Sequence, residues 1–105
     1  MAHFVDTNIV VYAYANGPKA TKAAAVLAEA VISVQVLNEF ANVALRKLGY
    51  TSAKLGRRIA SIRSQVGAVI PLDEATHDLA RAIVARYKLS FYDSALLASA
   101  LLAGC

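Results

Sequence analysis

Residues 31–49, VISVQVLNEFANVALRKLG, pass from one structural period to another with almost no linker. Val31-Ile32-Ser33-Val34 is a short, largely apolar, β-branched run, the pattern of a strand covered on both faces. The period then changes. Leu37, Phe40, Ala41, Ala44, Leu45 and Leu48 recur at i, i+3, i+4, i+7, i+8 and i+11, forming one helical stripe that Gly49 closes. A buried strand feeding an amphipathic helix is half of a parallel βαβ unit. Glu39 stands about one helical turn past the carboxyl end of that strand.

The alternation repeats on both sides. Ala2 to Asp6 reads as a short strand, and propensity alone would extend it through the β-branched and aromatic residues Ile9 to Tyr14. Asn16-Gly17-Pro18 breaks the chain, and Lys19 to about Ala28 is Ala-rich and helical. Beyond Gly49, a helix starts near Ser52, with Leu55, Ile59, Ile62 and Val66 inward and Lys54, Arg57 and Arg58 outward. Ala68 to Leu72 is a third short strand with Pro71 best placed at its end. Asp73 caps a helix running to about Tyr87, and Ser90 opens a last one ended by Gly104. Strands alternating with helices predict one α/β domain over residues 1–105, a parallel sheet with helices on both faces. In such sheets ligands bind beyond the carboxyl ends of the strands. Asp6 lies on that rim, Glu39 is directed toward it, and Asp93 joins them if the last helix starts nearby.

A carboxylate at the edge of an apolar run loses hydration and needs a donor, a cation or a metal. Each acid has an ordinary alternative. Asp6 can cap a helix beginning at Asn8, Glu39 suits the first turn of its helix, and Ser90-x-x-Asp93 has the spacing of a capping box. Three carboxylates on one rim also repel, by several kcal/mol for a pair about 4 Å apart at an effective dielectric near 20. A divalent ion removes that cost, and Mg²⁺ or Mn²⁺ suits oxygen ligands with waters retained. Other chemistries lack parts. His3 and His77 have no partners at zinc spacing, and the serines have no histidine at a telling spacing. No glycine-rich phosphate loop is present, which counts against a flavodoxin-like small-ligand module. Phe91-Tyr92 suits a core or an interface, with base stacking as the alternative.

Net charge is +4, unevenly spread. No acid falls between Phe40 and Asp73, whereas Arg46, Lys47, Lys54, Arg57, Arg58 and Arg63 do. A basic block beside clustered acids suits a polyanion presented to a metal; the ordinary account is a solvated helix face. The hydrophobic fraction of 58% includes much Ala and favours a buried subunit interface. No stretch reaches the roughly 18 unbroken apolar residues of a membrane span. Asp6 argues against a signal peptide and the single Cys105 against an internal disulfide, so the cytoplasm is the expected compartment.

Phe4-Val5-Asp6-Thr7-Asn8, then Ile32 to Phe40, then Leu89-Ser90-Phe91-Tyr92-Asp93-Ser94-Ala95-Leu96 resemble the three core motifs of PIN domains, most closely VapC-type toxins of bacterial toxin–antitoxin pairs. The resemblance implies a three-layer, flavodoxin-like sandwich and a helix, not a strand, from Asn8 to Ala15. It implies a Mg²⁺- or Mn²⁺-dependent endoribonuclease cutting single-stranded RNA and held by a small antitoxin. Asp6 and Asp93 would be direct metal ligands, Glu39 a ligand directly or through water, and Thr7 and Asn8 would orient them. Arg46, Lys47, Lys54, Arg57 and Arg58 would hold the RNA backbone. PIN domains of this kind continue beyond the position of Gly104-Cys105 into a fourth strand and a further acid, without counterpart here, and the link from Ala28 to Val31 is several residues short. The first strand is then expected at the sheet edge, favouring a homo-oligomer with possible exchange of elements. The alternative function is a catalytically impaired remnant that binds antitoxin, RNA or a sister chain without cutting.

Overall fold

The computed structural model describes residues 3–14, 17–28 and 30–105. Six helices and two strands follow in the order α1 (Thr7–Tyr14), α2 (Ala20–Leu27), β1 (Val31–Ser33), α3 (Val34–Arg46), α4 (Ser52–Gln65), β2 (Ala68–Ile70), α5 (Glu74–Tyr87) and α6 (Phe91–Leu102). β1 and β2 pair in parallel, Val31 opposite Ala68, Ile32 opposite Val69 and Ser33 opposite Ile70. β2 ends immediately before Pro71, which has no N–H to extend the ladder.

The expected first strand is reduced to a single parallel bridge between Phe4 and Val31, closed by Val5 N–H to the Val31 carbonyl (3.0 Å) and Val31 N–H to the His3 carbonyl (2.8 Å). Ala2, with which that strand was expected to begin, lies outside the described residues, as do Ala15 and Asn16. Helix α1 starts at Thr7 and takes over the β-branched run that propensity assigns to a strand. Tertiary burial decides this. One side of the helix carries Val10 fully into the core, with Ile9, Val11, Ala13 and Tyr14 packed around it.

β1 passes into α3 with no intervening residue. Ser33 is the last strand residue and also the N-cap, its hydroxyl accepting from Val36 N–H at 3.3 Å. The helix therefore begins three residues earlier than the apolar stripe suggests. Its fully buried positions are Val36, Phe40 and Ala44, and Leu45 is 48% exposed instead of inward. Gly49 closes the segment at φ 70°, the left-handed conformation that costs glycine least. Thr51, Asp73 and Ser90 open α4, α5 and α6, each accepting a backbone N–H three residues on. Thr76 returns a second bond to Asp73 through its hydroxyl, and these two bonds hold the Asp73 carboxyl below its ordinary value of 3.8.

The main core gathers Val10, Leu27, Ile32, Val36, Phe40 and Ile62, with Tyr14 and Tyr50 packed edge-on against the Phe40 ring. A second, smaller core lies between α5 and α6, formed by Ala80, Ile83, Ala95 and Ala98. Ile32 faces the main core. Alternation along the strand puts Val31 and Ser33 on the opposite face, and α6 packs on β1. The short sheet thus has helices on both sides, the α/β layering expected from the alternation.

Candidate functional site

Asp6 stands at the end of the edge segment, just before α1, and its carbonyl accepts the first turn's bond from Ile9 N–H at 3.2 Å. Its carboxylate accepts from Thr7 N–H at 2.6 Å and is otherwise exposed. Glu39 is in the second turn of α3, not the first, because the helix begins at Val34. A helix-dipole role therefore does not explain it. Both its oxygens are engaged by side chains: Oε2 accepts from the Thr7 hydroxyl at 2.6 Å and Oε1 from Gln35 Nε2 at 3.0 Å. Asp93 lies in the first turn of α6, and its N–H donates to the Ser90 hydroxyl at 3.1 Å. Among the described residues the reciprocal bond of a capping box is absent, so the Asp93 carboxylate is exposed and unengaged.

These three acids line one open cleft of about 650 Å³. Thr7 and Asn8, expected to orient them, line it too, and Gln35, Asn38 and Asn42 add carboxamides from α3. Val43, Leu72 and Leu96 supply its apolar wall. Among the described residues no Lys, Arg or His lines the cleft, so its negative charge has no internal counter-charge. Carboxylates and carboxamides are hard oxygen donors, and this donor set fits a cation such as Mg²⁺ or Mn²⁺ that keeps several of its waters. The acids converge on one cleft but do not close into a cage: among the described residues no three Asp, Glu, His or Cys side chains stand close enough to share one ion. The Thr7 and Gln35 bonds give the reason for Glu39, whose two oxygens are turned to protein donors.

Of the expected RNA-binding residues, none lines this cleft. Arg46 ends α3 seven residues after Glu39 and four after Asn42, on the same helical face. Lys47 follows it as the C-cap. Lys54 sits over the Tyr50 ring at 4.5 Å, and Arg57 and Arg58 lie on the same helix, α4. Arg63 lines a different cavity, beside β2. Neither Phe91 nor Tyr92 enters a core. Tyr92 is 71% exposed and forms part of the cleft wall, which corrects the expectation of a core role. His3 and His77 stand apart from the cleft, the first beside the Val26 carbonyl and the second against Phe91.

Gln35, Asn38 and Asn42 received no role from the sequence. Their signal was there: with Glu39 they form a polar stripe at spacings of three and four along α3, visible only once the helix is started at Val34.

The PIN-domain family model matches residues 3–105. A search of curated protein sequences finds no significant match. Among solved structures, the chain is similar to one described as a toxin–antitoxin complex from Klebsiella pneumoniae. The TM-score is 0.75 at 24% identity over 99% of this chain and 81% of that one, a likeness of fold. With a family match spanning nearly its whole length and the matching fold beneath it, the chain belongs to the PIN-domain family.

Proposed function

We propose that this chain is a divalent-metal-dependent endoribonuclease that cuts single-stranded RNA, the toxin of a type II toxin–antitoxin pair. PIN domains in general depend on divalent metals. The observation that supports this reading most is the cleft, lined by acids from three separate segments and, among the described residues, by no cationic side chain. Asp6 and Asp93 offer exposed carboxylates to Mg²⁺ or Mn²⁺, and Glu39, tied to Thr7 and Gln35, acts through a water. A metal held there lowers the pKa of an attacking water and offsets charge developing on the phosphodiester. Asn8, Asn38 and Asn42 orient waters or the RNA backbone from the rim. Tyr92, exposed at the wall, stacks an unpaired base. Arg46, Lys47, Lys54, Arg57 and Arg58 draw in the phosphate chain beyond the acids.

The partners in this reading are RNA and a small antitoxin that covers the cleft, and the compartment is the cytoplasm. No helix among the described residues is long and apolar enough to cross a membrane. A second copy of the chain is a further partner. The outer edge of the sheet at Phe4 is unpaired among the described residues, and α6 leaves Leu97, Leu101 and Leu102 exposed. Light scattering tests this; a stable monomer contradicts it.

The second reading, a catalytically impaired PIN domain that binds without cutting, is favoured by the absence, among the described residues, of three acids close enough to hold one ion together. Incubation of the purified chain with single-stranded RNA and Mn²⁺ separates the two. The nuclease reading expects cleavage that EDTA stops and that Asp6→Asn or Asp93→Asn reduces to background. Cleavage surviving both substitutions belongs to a contaminant, and its complete absence in the parent chain leaves the binding module.

A further inference from the structure

Gln35 touches two acid-bearing segments at once. Its Nε2 donates to Glu39 Oε1 at 3.0 Å and to the Tyr92 carbonyl at 3.2 Å, while the side chain itself is buried. Both partners are acceptors, so only the NH₂ end of the carboxamide satisfies them; the flipped amide would set its oxygen against two others. The Tyr92 carbonyl has a second lone pair, so this bond does not compete with the helix. A solvated helix-surface Gln would not account for this. The Glu39 contact alone is an ordinary i, i+4 pair within α3, but the Tyr92 contact crosses to a helix 57 residues away.

The bond completes a chain. Asp6 accepts from Thr7 N–H, the Thr7 hydroxyl donates to Glu39, Gln35 donates to Glu39, and Gln35 reaches Tyr92, the residue before Asp93. Each of the three acids is either a member of this chain or next to one. α6 packs mainly on α5, with Phe91 of its first turn against His77, and also on β1 and, through Leu96, on the main core. Among the described residues the Gln35–Tyr92 bond is the side-chain hydrogen bond that ties this first turn, where Asp93 sits, to α3. We infer that Gln35 is a positioning residue that ties the Asp93-bearing turn of α6 to Glu39 and thereby sets the span of the acidic cleft. This role rests on the reading of the cleft as a metal-dependent nuclease site.

The test is Gln35→Met in the full chain, which keeps the length and bulk of the side chain and removes both N–H donors. Three measurements are made: amide hydrogen exchange across residues 91–94, Mn²⁺ affinity by calorimetry without RNA, and kcat and KM on single-stranded RNA. The expected result is a folded protein with faster exchange in that turn. Its Mn²⁺ dissociation constant rises by about 10- to 100-fold, the usual loss when a residue supporting a metal ligand is removed. kcat falls while KM for RNA holds, because the basic face is untouched. Unchanged exchange, or unchanged Mn²⁺ affinity in a folded variant, overturns the inference. If Gln35→Met does not fold, Gln35→Asn takes its place with the same readings, since its donors sit one methylene short of both partners. A parent chain that binds no Mn²⁺ overturns the nuclease reading instead, and the exchange data then decide by themselves whether Gln35 fastens α6.

Discussion

The body built from α1 to α4 and the sheet, and the hairpin of α5 and α6, bury their apolar surface in different ways. The body closes around large side chains, with Leu27, Ile32, Phe40 and Ile62 fully buried and two tyrosine rings against Phe40. The hairpin closes mainly on alanines, with Ala80, Ala95 and Ala98 joined by Ile83. Small residues let helices approach closely but bury little area, and transfer free energy follows area at roughly 25 cal/mol per Å². The hairpin also carries a buried polar atom without a partner among the described residues, the Ser94 hydroxyl, beside the candidate ligand Asp93. The two regions meet at the acidic cleft, so the site joins acids from a strongly packed unit to one from a weakly packed unit. The position of Asp93 relative to Asp6 and Glu39 therefore depends on how the hairpin docks on the body.

Phe40→Ala should give the largest effect, about 3–5 kcal/mol in urea unfolding, because it removes a fully buried ring that the surrounding structure cannot replace. Ala98→Leu overpacks the hairpin and should cost about 1–3 kcal/mol, with accelerated exchange confined to α5 and α6. Equal costs, or exchange rising uniformly, would erase the distinction between the regions. Ser94→Ala should change stability in the other direction, by about 1 kcal/mol, since it deletes an unsatisfied buried hydroxyl. A destabilised Ser94→Ala would mean that the hydroxyl has a partner in solution.

The smallest effect concerns the cap of α5. Hydrogen bonds from Thr76 lower the Asp73 carboxyl below its ordinary 3.8, so its contribution is fully present above that value and is lost as pH falls through the lower folded-state value. Asp73→Asn keeps a good capping residue without the titration. The parent chain should be slightly more stable than Asp73→Asn near neutrality, and the difference should shrink in acid. A difference that stays constant with pH would show that the charge contributes nothing.

Much of this was legible in the chain itself. Short apolar runs before amphipathic stripes specified the parallel α/β layering, and Asp73 and Ser90 marked two helix starts, because these signals act over a few residues. The resemblance carried by the three acidic motifs is matched by the family model over residues 3–105. Local chemistry was less decisive at Ile9 to Tyr14, where β propensity pointed one way and burial of Val10 the other. It also failed at Val34, where a strand passed into a helix without a linker and carried Glu39 into the second turn.

By itself, the sequence determined which residues carry charge and which periods repeat, and hence the layering and the candidate acids. Only the tertiary structure decided how those acids are held. Thr7 and Gln35 reach Glu39, and Gln35 reaches Tyr92, through bonds that link side chains or helices distant along the chain. Hydrogen bonds of that kind depend on distances of about 3 Å set by packing, and no local pattern encodes them.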